Sequence, residues 1–124
     1  MGYKSDVTAV FYTTKEKFPV MKLYVDEHFP KGFKEDLTVQ GERAYVFQLD
    51  DIKWYDSFID VASFNAFVKN FLEFANAQGE PNWHYEFMRI GEDANDVETY
   101  CSDSAEGVLN LFRSVNVNIL TKGA

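Results

Sequence analysis

The chain has 124 residues, 46% of them hydrophobic and 17% aromatic, which suits one domain and excludes a disordered segment. Twelve Lys and Arg against twenty Asp and Glu leave a net charge of −8 and a pI near 4.6. That balance argues against direct nucleic-acid binding, which draws its affinity from clustered basic side chains, and the single Cys101 excludes an intramolecular disulfide framework or a zinc site built on paired cysteines.

Met1-Gly2-Tyr3-Lys4-Ser5-Asp6 lacks the basic-then-apolar order of a signal peptide, and Asp6 breaks the myristoylation pattern. No apolar run approaches the ~20 residues of a membrane helix, so the expectation is a soluble intracellular protein without membrane contact. Val7, Ala9 and Phe11 alternate with Thr8, Val10 and Tyr12, the period of a strand. A short, mostly buried helix is expected over Phe18–Phe29, with Pro19 in its first turn and Val20, Met21, Leu23 and Tyr24 covering more than one stripe; Pro30 and Gly32 stop it. Leu37–Gln40 and Arg43–Leu49 flank Gly41-Glu42, which reads as a two-residue type II′ hairpin. After Asp50-Asp51, the run Ile52–Tyr55 continues that strand or extends it through a bulge.

The second helix has the clearest signal. Asp60 is the expected cap, Ile59 and Phe64 a hydrophobic staple, and Phe64, Phe67, Val68, Phe71, Leu72 and Ala75 draw one apolar stripe that Gln78-Gly79 closes. Trp83–Ile90, Val97–Cys101 and Phe112–Ile119 read as three further strands. The expected fold is a single α+β domain over 1–124: an antiparallel sheet with two helices on one face, ferredoxin-like β-α-β-β-α-β in order, plus two extra C-terminal strands.

Charge is distributed unevenly. Glu92, Asp93, Asp96, Glu98, Asp103 and Glu106 lie between Ile90 and Phe112 with no Lys or Arg among them. Three readings arise: a solvated hairpin tip that keeps the protein soluble, a calcium loop, or an acidic surface that occupies the basic groove of another protein. The calcium reading fails, because an EF-hand counted from Asp93 has Glu98 in place of glycine and Ser104 in place of glutamate. On a strand, Asp96 and Glu98 stand ~6–7 Å apart, close to the spacing of neighbouring phosphates.

His84-Tyr85-Glu86 places an imidazole and a carboxylate on one strand face, but no Pro-Cys-x-x-Cys follows to complete a zinc deaminase site. A half-exposed histidine facing a glutamate is the expectation, with no metal or cofactor. There is no Gly-x-Ser-x-Gly, phosphate loop or Gly-x-Gly-x-x-Gly, and the adjacent Asp50 and Asp51 point to opposite faces of a strand. No catalytic residue is assigned. Trp54, Tyr55 and Phe58, with Tyr12 or Tyr45, are candidates for an exposed aromatic platform. In a sheet covered on one side, consecutive Trp54 and Tyr55 cannot both face inward, so one of them is expected at the surface or under a partner.

Met1–Val7, Lys53-Trp54-Tyr55-Asp56-Ser57-Phe58, Tyr85–Asp93 and Arg113-Ser114 before an alternating strand together resemble a family of small acidic accessory proteins of tailed bacteriophages, with Lys4 where an arginine is expected. The family has no assigned activity, so the resemblance carries over no catalytic residue. It implies a phage protein acting in the host bacterial cytoplasm. The function expected on that basis is a non-enzymatic inhibitor of a host protein with a basic surface, from defence or nucleic-acid-processing machinery. Its contact surface would combine the acidic stretch with Trp54 and Tyr55. The alternative is a module that sequesters a nucleotide-like signal, held between protomers of a homodimer, with Arg43, Arg89 and Arg113 on its phosphates. A third is a metal-dependent enzyme on the acidic residues, marked by Mg²⁺ or Mn²⁺ dependence.

Overall fold

A computed structural model describes residues 3–79, 82–93 and 95–102. The elements are β1 (Ser5–Tyr12), α1 (Phe18–His28), a 3₁₀ segment (Lys31–Asp36), β2 (Leu37–Gln40), β3 (Ala44–Ile52), α2 (Ile59–Ala77), β4 (His84–Gly91) and β5 (Val97–Cys101). The five strands form one sheet in the order β2-β3-β1-β4-β5, and every neighbouring pair is antiparallel. This is the expected α+β class. β5 is the first of the two extra strands; the second, Phe112–Ile119, lies outside the described residues, as do Asp103, Glu106 and Arg113.

Alternation along the strands builds the main core. Val7, Ala9 and Phe11 of β1, Tyr45 and Phe47 of β3, and Tyr85 and Phe87 of β4 share one face. Onto it pack Phe18, Met21 and Val25 of α1 and Val61, Phe64, Phe67, Phe71 and Ala75 of α2, so both helices lie on the same side. Phe11 sits at the centre, with the rings of Phe29, Phe64, Phe67, Phe71 and Tyr85 at 5.0–6.4 Å.

The opposite face is not open to solvent as a one-sided sheet would be. Val10, Tyr12, Ala44, Val46 and Met88 are buried there as a second cluster, together with His84 and Glu86. The near-continuous apolar run Ala9–Tyr12 is what a strand buried on both faces requires. Tyr12 and Tyr45 are therefore core residues and form no exposed platform. His84 is buried rather than half-exposed, its ring 5.0 Å from Tyr12, and the buried Glu86 carboxylate accepts from the Tyr12 hydroxyl.

Several local expectations change. In α1 the three- and four-residue steps Phe18, Met21 and Val25 select the buried stripe, which leaves Val20 and Leu23 exposed on the outer side. The β2–β3 loop has three residues rather than two, because Gln40 pairs with Ala44. Arg43 is withdrawn from β2: its carbonyl accepts from the Thr13 N–H at 3.0 Å and its Nε donates to the Thr13 carbonyl at 3.0 Å. α2 starts two residues early, with Phe58 at the cap position and Asp60 in the first turn, where its charge suits the helix dipole. Ile59 is 82% exposed, so the staple does not form. Gly79 closes α2 as expected, at φ +66°.

Candidate functional site

The site begins with a bulge. Opposite Ser5–Val7 the β1–β3 register slips between Leu49 and Ile52, and Asp51 adopts φ +56° while its N–H bonds the Asp6 carboxylate at 2.8 Å. This kink ends the strand at Ile52 and turns Trp54 and Tyr55 out of the sheet, so the alternation rule that separated them does not apply. Both are half-buried. Trp54 packs inward against Phe33, Phe64 and Phe87 at 5.4–6.2 Å. Tyr55 stays at the rim, where its hydroxyl accepts the Tyr3 N–H at 2.6 Å.

The facing wall comes from the β4–β5 hairpin. Arg89 pairs with Val7 on one side and Glu98 on the other, which puts all three on the helix-bearing face. The Arg89 side chain is only 16% exposed, and its guanidinium is largely committed. Nε donates to Glu98 at 2.9 Å, the two terminal nitrogens donate to both Asp96 oxygens at 2.8 and 3.1 Å, and one of them also donates to Ser5 Oγ at 3.0 Å. The hydrogen bonds from Arg89, and then from Tyr3, hold the Asp96 carboxyl below the usual carboxylate range, and the same two carboxylates raise the Arg89 guanidinium. Between this wall and α2 runs an open groove of about 870 Å³, floored by Tyr85 and Phe87 and bounded by Asn65, Val68, Lys69 and Leu72 of α2, Tyr100 and Glu98 of β5, and Trp54, Tyr55 and Asp56.

The four described acids of the skewed stretch do gather at this end of the hairpin, but they are not a bare anionic face. Asp96 and Glu98 are clipped to Arg89. Glu92 accepts the Lys4 N–H at 2.5 Å. The Asp93 side chain accepts the Asn95 N–H at 3.0 Å to close the hairpin turn, and its own N–H donates to the Tyr3 hydroxyl at 3.0 Å. Glu98 keeps the most exposure of the clipped trio, at 61%. The two described arginines, Arg43 and Arg89, do not converge. Arg43 lies over the Tyr12 ring at the level of Ala44, five residues along β1 from Arg89, or ~16 Å at the rise of a strand.

Tyr3, Asn65, Lys69 and Tyr100 belong to the groove without having been singled out. Asn65 and Lys69 stand at helical spacing beside Val68 and Leu72 at the margin of the apolar stripe, and that pattern was available to find them. Among the described residues, no group of three or more His, Cys, Asp or Glu is placed to hold a metal ion, and no helix is long and apolar enough to cross a membrane. Burial, then the neighbouring Glu86 carboxylate, pushes the Cys101 thiol upward, away from the thiolate that nucleophilic chemistry needs.

No family model, curated protein or solved structure matches the chain.

Proposed function

We propose that the protein is a non-enzymatic binding module that inhibits a partner protein by seating a basic segment of it in the groove between α2 and β4–β5. The observation that carries this reading is the meeting, in one concavity, of the aromatic pair Trp54 and Tyr55 with the carboxylates Asp56, Asp96 and Glu98. Arg89 spends its hydrogen bonds within the protein, so it serves to fix Asp96 and Glu98 in place rather than to hold an anion. A cation entering the groove meets Glu98 and Asp56 together with the faces of Tyr55 and Tyr100, a setting for charge pairing and cation–π contact. The resemblance to phage accessory proteins supports a host target with a basic surface, from defence or nucleic-acid-processing machinery, met in the bacterial cytoplasm.

The nucleotide-like alternative draws less support. The groove has the volume of a small-molecule site, but its walls carry three carboxylates against Lys69 and the committed Arg89, and Arg43 stands far from it. A thermal-shift screen against cyclic nucleotides separates the two, since a ligand at 100 times its dissociation constant stabilises by ~2.7 kcal/mol.

The direct test places a photo-crosslinking amino acid at position 100 and irradiates the protein in bacterial lysate. A discrete adduct that disappears with Glu98→Lys and fades as salt rises is the expected result. An adduct indifferent to Glu98→Lys, or formed equally from position 20 on the outer side of α1, overturns the reading.

A further inference from the structure

We infer that Tyr85, in the floor of the groove, makes the site selective for arginine over lysine in the basic segment it receives. The inference rests on the proposed binding function and names the side chain that function captures. Tyr85 and Phe87 alternate with Glu86 along β4, which puts both rings on the helix-bearing face. The Tyr85 ring is held by its neighbours, 5.0 Å from Phe11, 5.6 Å from Tyr100 and 6.5 Å from Phe87. Its own N–H donates to Ser102 Oγ at 2.9 Å, and only 4% of the residue is exposed. The ring is therefore fixed in place before any ligand arrives.

The hydroxyl at the end of this ring is unused. Among the described residues it neither donates nor accepts a hydrogen bond. Thr13 Oγ1 and Trp83 Nε1 are the sealed polar side-chain atoms without a partner among the described residues. The Tyr85 oxygen is not sealed, and the contact it keeps is through the groove its side chain lines. Burial, then the neighbouring Tyr100 and Glu98, push the phenol well above the ordinary tyrosine range, so near neutral pH it stays uncharged and offers both a donor and acceptor lone pairs. A polar group buried without a partner is destabilising, and a ligand that supplies the partner relieves that penalty.

Charge alone does not separate lysine from arginine here. The described walls carry Asp56, Asp96 and Glu98 against Lys69 and Arg89, which leaves one negative charge for an incoming cation. Arg89 Nε donates to one Glu98 oxygen, and the other oxygen is left to accept. The two cations differ at the floor. An ammonium is a compact, strongly hydrated point charge that keeps its water at the rim beside Glu98. A guanidinium is planar, weakly hydrated and suited to aromatic faces. Its five N–H groups form a rigid fork, so one edge can donate to Glu98 while another donates to the Tyr85 oxygen. The apolar lining from Trp54, Val68, Leu72 and Phe87 also favours the less hydrated of the two.

The test uses the full chain and the peptide acetyl-Thr-Lys-Val-Arg-Val-Lys-Thr-amide, with a charge-matched analogue in which lysine replaces the arginine. Isothermal calorimetry on the unaltered protein should give the arginine peptide a dissociation constant about tenfold lower, the size of one hydrogen bond to a charged group. Tyr85→Phe keeps the ring and removes only the hydroxyl, so it should weaken the arginine peptide and bring the two within about twofold of each other. Should that variant fold poorly, the unaltered protein gives a second readout: the arginine peptide shifts the Tyr85 ζ-carbon resonance and the lysine peptide does not. Equal affinities for the unaltered protein, with both lost in Glu98→Lys, overturn the selectivity and leave the groove reading standing, as does an arginine preference that survives in Tyr85→Phe. Failure of both peptides to bind, or binding that Glu98→Lys leaves intact, overturns the groove reading and the inference with it.

Discussion

Phe11→Ala is the substitution that most directly tests how the scaffold under the groove is held. Replacing a buried phenylalanine by alanine costs ~3–5 kcal/mol, with the larger values where the surroundings cannot collapse into the space. Phe11 is fully buried on the central strand, and β1 is hydrogen-bonded to β3 on one side and β4 on the other, so its backbone cannot shift inward. Five aromatic rings at 5.0–6.4 Å lose their common partner, and such ring pairs contribute ~0.5–1.5 kcal/mol beyond area burial. The expected loss therefore lies at the upper end, about 4–5 kcal/mol. A chain of this length has a total stability of roughly 6–19 kcal/mol, so the variant should melt about 15 °C lower. Urea denaturation followed by circular dichroism reads the change as a fall in the midpoint at constant slope. Phe58→Ala, at an exposed ring, is the control and should cost less than about 1 kcal/mol. A loss below about 2 kcal/mol for Phe11→Ala would refute the claim that this ring organises the core.

Phe67→Ala should cost ~3–5 kcal/mol by the same melts, because its ring lies 5.2 Å from Phe29 and 5.4 Å from Phe11; under 1 kcal/mol would mean the stripe of α2 faces solvent. Gly91→Ala places a methyl group where the Tyr3 hydroxyl and the Asp96 carboxylate sit. Both are ends of flexible side chains, so stability should fall by less than ~1 kcal/mol, while tryptic cleavage after Lys4 accelerates as Tyr3 is displaced. Unchanged cleavage contradicts the clamping of Tyr3. Acid should destabilise the protein in a defined window. The Asp96 carboxyl lies below its ordinary 3.8 through Arg89 and then Tyr3. Asp26 is lowered too: its burial acts upward but is outweighed by hydrogen bonds from the Tyr45 hydroxyl and Lys22. Groups with depressed folded-state values contribute stability above about pH 4 that is lost as pH falls below it. Urea midpoints should therefore drop below pH 4, and less steeply in Arg89→Gln; an unchanged slope in that variant contradicts the Arg89–Asp96 coupling.

The regular elements were legible because period-2 and three-four spacings depend on burial alone, and β1, α2 and β4 each bury a clear face. Features set by contacts between distant residues were not. Arg43 drops out of the β2–β3 ladder to serve Thr13, Ile59 loses its staple once Phe58 takes the cap position, and the bulge at Asp51 ends β3 before Trp54 and Tyr55, so strand alternation does not separate them. The groove illustrates both cases. Its aromatic pair and two of its acids, Asp96 and Glu98, were picked out from the sequence, whereas Asp56 was not; the pairing of Asp96 and Glu98 with Arg89 depends on the hairpin register that sets Arg89 opposite Glu98. Nine residues separate those two in the chain, with a turn-rich Glu92–Asp96 between them, so the pair follows once the hairpin is drawn.

The central claim, that this groove receives a basic segment, is tested most directly by tryptophan emission. The chain has two tryptophans, and Trp83→Phe leaves Trp54 as the reporter in the groove. Titration with acetyl-Thr-Lys-Val-Arg-Val-Lys-Thr-amide should change Trp54 emission along a saturable curve that Glu98→Lys abolishes. No change, or an equal response to a peptide in which glutamate replaces each basic residue, would contradict it.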